Sequence, residues 1–472
     1  MSTPSLKDMV DAARPAGLPS ANPTRSFWTH SSPDANPLAS QGSEGLLTAD
    51  ADVCIIGSGI TGVGVAYHLA QAAHEIAHAS ARDGPLKVVI LEARDFLCQV
   101  QELPKRGTSS CCYLYWYAAR EAAFGRAEAM RAYEVEAYTT RSIVSTIQEF
   151  GWADDVDLVN GGHMRVYFTE EAACDAKKDL ECATSSSLDM EATQWVEKEE
   201  MQTEFGPPYP GVYSSAYNIW PLNTSRSLCT LGTPATAIEQ VALPSDVQSL
   251  IRPYIVSTPR GTISCSRVIH ATNGYASHLL PFLAGRIVPT RGQVMATRAA
   301  VSMDQIKTYA WGDDGGSEYW FPRPVPKGSD EKPLVILGGA RRLAIAPFEL
   351  NVQDDSVVCD VIGKSLRNFL PSVFPGKFDS GREPEMEWTG IMGFTDAGDP
   401  LVGPVIGPDG NVDTFKGQFI AAGYCGHGMP RAFGCAEIIS QMIAAELSGK
   451  EWTRPEWMPE RFLTWNRIDD LK

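Results

Sequence analysis

The stretch Val53-Cys54-Ile55-Ile56-Gly57-Ser58-Gly59-Ile60-Thr61-Gly62 constrains this chain more than any other. A short apolar run of this kind reads as a buried parallel strand, and three glycines in GxGxxG spacing follow it without a gap. Gly57 permits a tight turn out of the strand, Gly59 lets the backbone approach a pyrophosphate, and Gly62 allows the next helix to lie close against the strand. The helix-like run Val63 to Ala73 then brings the positive end of a helix to the phosphates. A second strand, Lys87 to Leu91, ends in Glu92, whose carboxylate suits the adenosine ribose hydroxyls. Glu92 lies farther from the glycines than is usual, and His74 to Pro85 are expected to absorb the excess as a loop. Ile60, Thr61, Ala93 and Arg94, beside the turn and the acid, complete this part of the candidate dinucleotide site.

The rest of the composition narrows the class. A chain of 472 residues allows two to four domains at roughly 100 to 200 residues each. With 44% hydrophobic and 21% charged residues it can bury a sizeable core. Forty Lys and Arg against 57 Asp and Glu leave a net charge of −17, which repels nucleic acid. The apolar stretch Val53 to Ala73 is interrupted by glycines, Ser58, Thr61, His68 and Gln71, so no membrane span is expected. Eleven cysteines without regular spacing read as reduced thiols, which points to the cytoplasm, and no Cys-His spacing makes a metal site. Residues 1–50, rich in Ser, Pro, Ala, Asn and Gly, are expected to be a disordered polar tail.

The glycine fingerprint serves FAD and NAD alike, and the far end of the chain decides between them. Gln418 to Tyr424 read as a strand running into a glycine turn, and Gly426-His427-Gly428-Met429 open an apolar-periodic helix through Ala445. Donor groups at such a helix start can stabilise the negative charge that develops at the pyrimidine end of a flavin. FAD is therefore the expected cofactor. His427 either assists the chemistry or caps the helix.

Other segments carry a family likeness: Leu91-Glu92-Ala93-Arg94, Gly161-Gly162-His163-Met164-Arg165, Val268 to Ala276 and Pro289-Thr290-Arg291-Gly292-Gln293. Trp388-Thr389-Gly390-Ile391-Met392-Gly393, Asp399-Pro400-Leu401-Val402-Gly403 and Gly423 to Glu437 extend it. From Val53 to about Pro455 the chain resembles the FAD-dependent oxidoreductases of the D-amino-acid oxidase superfamily, in their glycine-oxidase-like and amine-oxidase-like branch. The resemblance implies an α/β protein: a doubly wound FAD-binding fold interleaved with a mixed-sheet α+β substrate domain. The FAD-binding parts would be 51–160, 236–285 and 396–472, and the substrate parts 161–235 and 286–395. Ala271, Thr272 and Asn273 would line the FAD phosphate region, and Ile238, in the strand-like Ala235 to Glu239, would sit near the adenine. The implied reaction is oxidation of the C–N bond of an amine or amino acid, with oxygen or another acceptor taking the electrons.

Two segments depart from the family pattern. Residues 96–110 read FLCQVQELPKRGTSS where the family has a glycine-rich loop under the flavin, and residues 223–235 are too short for the helix and strand that normally precede Thr236. Bulky side chains cannot match the close approach of glycines, so weak FAD binding is expected. The alternative reading is an inactive or flavin-poor relative with a scaffold or binding role. The segment Trp388 to Gly393 also lacks the Arg with which relatives hold a substrate carboxylate, which favours a simple amine. Arg323, or Arg341 and Arg342, could replace it. Trp320 and Trp388 either wall an amine site through their faces or belong to the core.

Overall fold

The computed structural model describes residues 14–32, 35–80, 84–95, 117–219, 229–241, 252–314, 318–326, 328–345 and 348–471. The departure at 96–110 and the first part of that at 223–235 lie outside the described residues.

The apolar run before the glycines forms β1 (Asp50–Ile56), buried along nearly its whole length. A strand buried on both faces needs parallel neighbours covered by helices. It has them: β1 pairs in parallel with β2 (Val88–Leu91) on one side and β9 (Gly261–His270) on the other. Parallel β6 (Cys229–Thr230) and β16 (Gln418–Ala422) extend this first sheet. Antiparallel β15 (Leu401–Pro404) closes one edge, and β7 (Ala237–Gln240) with β8 (Tyr254–Thr258) branches from the start of β9.

Helix α1 (Ile60–Ser80) follows the glycine turn. It continues through His74 to Ser80, where a loop was expected, because the Gly and Pro that would break a helix come only at Gly84 and Pro85. It crosses the long C-terminal helix closely: a Cβ at Gly64 would stand 2.9 Å from the Ala436 Cβ. After α2 (Tyr117–Phe124), α3 (Arg126–Glu149) packs on the same C-terminal helix.

The second sheet has the order β14-β10-β13-β12-β11-β3-β5-β4. Its spine is β10 (Val288–Arg298), antiparallel to both β13 (Leu334–Gly338) and β14 (Met386–Phe394). The chain enters it as β3 (His163–Val166), then α4 (Glu170–Ser185), β4 (Thr193–Val196) and β5 (Gly211–Ser214). It returns as β10, β11 (Ala310–Gly312), β12 (Tyr319–Pro322), β13, α5 (Asp360–Val373) and β14. It goes back to the first sheet for β15, β16 and α6 (Met429–Leu447). The expected α/β architecture of two interleaved mixed sheets is present. Among the described residues no helix is long and apolar enough to cross a membrane.

The expectation of a free polar tail over 1–50 is corrected for its described part. Trp28 is 1% exposed, stacked on Phe321 at 6.2 Å and edge-on to Trp388 at 5.8 Å. Ser26 caps the short turn beneath it, its hydroxyl accepting from the Trp28 N–H. Composition understated this segment because one buried indole and a few backbone hydrogen bonds suffice to hold it.

Candidate functional site

Four of the parallel strands, β2, β1, β9 and β16, end on one side of the first sheet, and the loops that leave them meet there. This is where ligands bind open α/β sheets. A cleft of about 1190 Å³, counting its open mouth, lies against these ends.

The glycine turn forms its floor. Gly57 has φ of 108°, and a Cβ there would stand 2.5 Å from the Ala271 carbonyl oxygen. A Cβ on Gly62 would come within 1.9 Å of the Gly57 carbonyl oxygen, so Gly62 serves the packing of α1 on the turn and not the cleft itself. Gly59 differs. It lines the cleft, yet a Cβ there would meet no protein atom within 4 Å. Its missing side chain leaves the backbone open to the cleft, a fit for a pyrophosphate.

Glu92 lies at the end of β2, and its carboxylate is oriented by the turn. Ser58 donates to Oε2 from both N–H and hydroxyl at 2.9 Å, and the Arg94 N–H donates to Oε1 at 3.1 Å. Ser58, fully buried, escaped the sequence reading because it occupies a variable position between two fingerprint glycines. Ile60, Thr61, Ala93, Ala271, Thr272 and Asn273 line the cleft. Thr61 and Tyr424 share a hydroxyl hydrogen bond of 2.7 Å that ties the start of α1 to the loop after β16. Asn273, in the left-handed region at φ 43°, accepts from the Gly423 N–H at 3.0 Å and ties in the loop after β9.

At the start of α6, Gly428 lines the cleft, whereas Met429 turns into the core. The His427 N–H donates to the Tyr424 carbonyl at 2.9 Å. Gly426 has φ of 80°, and a Cβ on it would face Phe394 at 3.7 Å. Cys425 is also left-handed; its sulfur accepts from the Thr395 N–H at 3.2 Å, and burial pushes its thiol pKa up.

Several candidates are placed elsewhere. Arg94 turns its guanidinium to Asp355, Nη1 donating to both carboxylate oxygens at 2.9 and 3.2 Å in an almost fully buried pair that ties the end of β2 to the segment between β13 and α5. Ile238 packs with the hydrophobic cluster behind β2, and Pro234 and Ala235 line the cleft instead. Trp388 and Trp320 are core residues; Trp388 is 0% exposed, and Trp320 stacks on Trp311 at 5.8 Å. Neither reaches the cleft, because alternate residues of their strands face the sheet's own core. Arg323 is held by Asp157 at 2.7 Å.

Arg341 remains. Its guanidinium lies over the Phe394 ring at 4.9 Å, the ring that a Cβ on Gly426 would face, and burial together with Arg342 lowers its pKa. The neighbouring carboxylate, Glu349, is engaged by Arg291. No carboxylate stands within ion-pair distance of Arg341 among the described residues.

Parallel strand ends, a glycine turn, an acid at the end of β2 and a second helix start are the arrangement of a dinucleotide-binding α/β fold. Residues 52–442 match the family model described as DAO, FAD dependent oxidoreductase, and the chain belongs to that family. No curated protein sequence matches it. Among solved structures it is similar to glycine oxidase from Geobacillus kaustophilus, with a TM-score of 0.58 at 18% identity, over 88% of this chain and 99% of that one. It is likewise similar to L-amino acid deaminase from Proteus myxofaciens in complex with anthranilate, with a TM-score of 0.59 at 12% identity, over 96% and 98% of the two chains. L-proline dehydrogenase from P. horikoshii has a TM-score of 0.56 at 17% identity, over 88% and 98%. At these identities the likeness concerns the fold.

Proposed function

We propose that this chain binds FAD in the cleft at the strand ends and oxidises the C–N bond of a small amine or amino acid. The observation that carries the reading is the pairing of Gly59, open to the cleft, with Glu92, whose carboxylate is already oriented by Ser58. Gly57 and Gly59 would receive the pyrophosphate, Glu92 the adenosine ribose, and Pro234 and Ala235 the adenine end. Asn273 and the first turn of α6 would hold the flavin end, where the helix N–H groups favour negative charge. Bound FAD supplies the acceptor for the hydride that leaves the carbon next to a neutral amine. What the protein must do is hold that carbon in place with the amine already deprotonated, and let the iminium that hydride departure leaves lose its proton to solvent.

Arg341 is the residue that would distinguish the two substrate classes. A half-buried guanidinium over an aromatic ring, with no carboxylate of its own, is suited to a substrate carboxylate. This supports an amino acid where the segment Trp388 to Gly393 alone favoured an amine. Purified protein should show a flavin absorption spectrum, and cofactor released by denaturation should chromatograph as FAD. Mixing with a panel of amines and amino acids without oxygen should bleach that spectrum. Protein that stays colourless with excess FAD, or that carries stoichiometric nicotinamide, would sink the proposal.

A further inference from the structure

Gly17, Leu18 and Pro19, from a segment with no motif in it, line the same cleft as Gly57, Gly59 and Glu92. Their neighbour Ala16 is 4% exposed and packs with Tyr275 and Ile391. The Ala16 N–H donates to the Ser277 hydroxyl at 2.9 Å, and its carbonyl faces His278 Nδ1 at 3.1 Å. These partners follow β9 of the first sheet. The next N–H, of Gly17, donates to the Gln353 side chain at 2.7 Å. The Ser20 carbonyl accepts from Arg94 at 3.3 Å, and the Thr24 N–H donates to the Asp355 carbonyl at 2.7 Å. Thr389 of β14 closes the series, its N–H donating to the Thr24 hydroxyl at 2.8 Å. The segment thus starts on the first sheet's loops, crosses the cleft and ends on the second sheet, where Trp28 is locked in the core.

We propose that residues Ala16 to Pro19 form a strap that is a third wall of the dinucleotide cleft and retards release of the cofactor. The inference rests on the FAD reading above and extends it to a part of the chain outside the glycine turn. Two features carry it. At one end Ala16 and Gly17 are held by Ser277, His278 and Gln353, beside the loop after β9, and at the other the Ser20 carbonyl is held by Arg94, just after β2, so the strap runs from one cleft-lining loop to another. Between those anchors, Gly17, Leu18 and Pro19 offer only backbone and apolar surface to the space beside Gly59. A segment held by a few hydrogen bonds gains further contacts when a dinucleotide fills that space, so strap closure and cofactor retention must reinforce each other.

The test uses the full chain, a chain lacking residues 1–22 that keeps Ser26 and Trp28, and the full chain with Gln353→Ala. Each is loaded with FAD and diluted, and release is followed by the rise in free-flavin fluorescence. Truncation should speed release about tenfold, and Gln353→Ala by a smaller factor in the same direction. In the full chain, FAD should slow tryptic cleavage after Arg25, which is exposed at the surface. Equal release rates from all three proteins at unchanged circular dichroism, or cleavage indifferent to FAD, would overturn the strap. If the truncated chain does not fold, the Gln353→Ala rate alone decides. A full chain that takes up no flavin would overturn the cofactor reading itself, whereas one that takes it up and releases it at a rate independent of the strap leaves that reading intact.

Discussion

Two walls of one cleft are built on opposite terms. The glycine wall, from Gly57 to Gly62, is held by steric necessity: added Cβ atoms would collide with backbone oxygens at 2.5 Å and 1.9 Å. The strap wall, from Ala16 to Pro19, is held by hydrogen bonds to Ser277, His278 and Gln353, partners more than 250 residues away in sequence. The first cannot move without unfolding the turn. The second, on the proposal above, lets go while the sheets stay folded. A buried cofactor needs both, because rigid backbone positions its phosphates and a releasable element lets it enter.

Substitutions in the two walls should therefore fail differently. The largest effect is expected for Gly62→Val, whose side chain has nowhere to go; a loss of more than about 4 kcal/mol should remove most soluble, folded protein. Next comes the lock between the end of β2 and the segment before α5. Asp355→Ala leaves the Arg94 guanidinium buried without its partner and should cost about 3–5 kcal/mol in urea unfolding. If it costs under about 1 kcal/mol, the pair does not hold these segments together.

Gly59→Val sharpens the contrast within the glycine wall, since only the cleft lies before it. FAD affinity should fall about 100-fold, or ~2.7 kcal/mol, while the thermal midpoint of the flavin-free protein hardly shifts. Equal losses of affinity and stability would show that Gly59, like Gly62, is a packing glycine. A smaller effect is expected at Arg341. Arg341→Ala should raise KM about tenfold, or ~1.4 kcal/mol, for amino acids and leave simple amines unaffected. No difference between the two substrate classes would remove Arg341 from the site.

The smallest effect is a pH dependence seated behind the glycine wall. His270, the last residue of β9, is fully buried with Nε2 at 2.8 Å from the Gln418 side chain, and burial lowers its pKa from 6.5 to about 4. Between those values the unfolded chain binds a proton that the folded chain refuses, so stability falls as pH drops below 6.5. From pH 8 to pH 6 the loss should be about 1 kcal/mol. His68, lowered to about 4 by burial, acts in the same direction. Asp179, raised by burial from 3.8 to about 6, acts oppositely, its contribution being present at low pH and lost as pH rises through 6. The difference between the parent chain and His270→Phe cancels both, and identical pH profiles of unfolding would show that His270 is not held neutral.

What the sequence determined by itself is the part of the protein whose demands are met within a few residues. The strand, the glycine turn, the start of α1, Glu92 and the opening of α6 were all legible, because each rests on local periodicity or on a steric limit at one backbone position. The extent of α1 past Ala73 was missed, since no residue there signals a stop and none was needed. Other features had no local mark at all. Arg94 stands beside Glu92 in sequence, but its guanidinium belongs to Asp355, 261 residues on. Trp388 was open between an amine site and the core until Trp28 packed edge-on against it. The segment Ala16 to Pro19 read as a polar tail, because its placement depends on partners that follow β9 and β2 standing at the right separation. Those choices follow from how the sheets meet, a long-range outcome of packing that no spacing along the chain encodes.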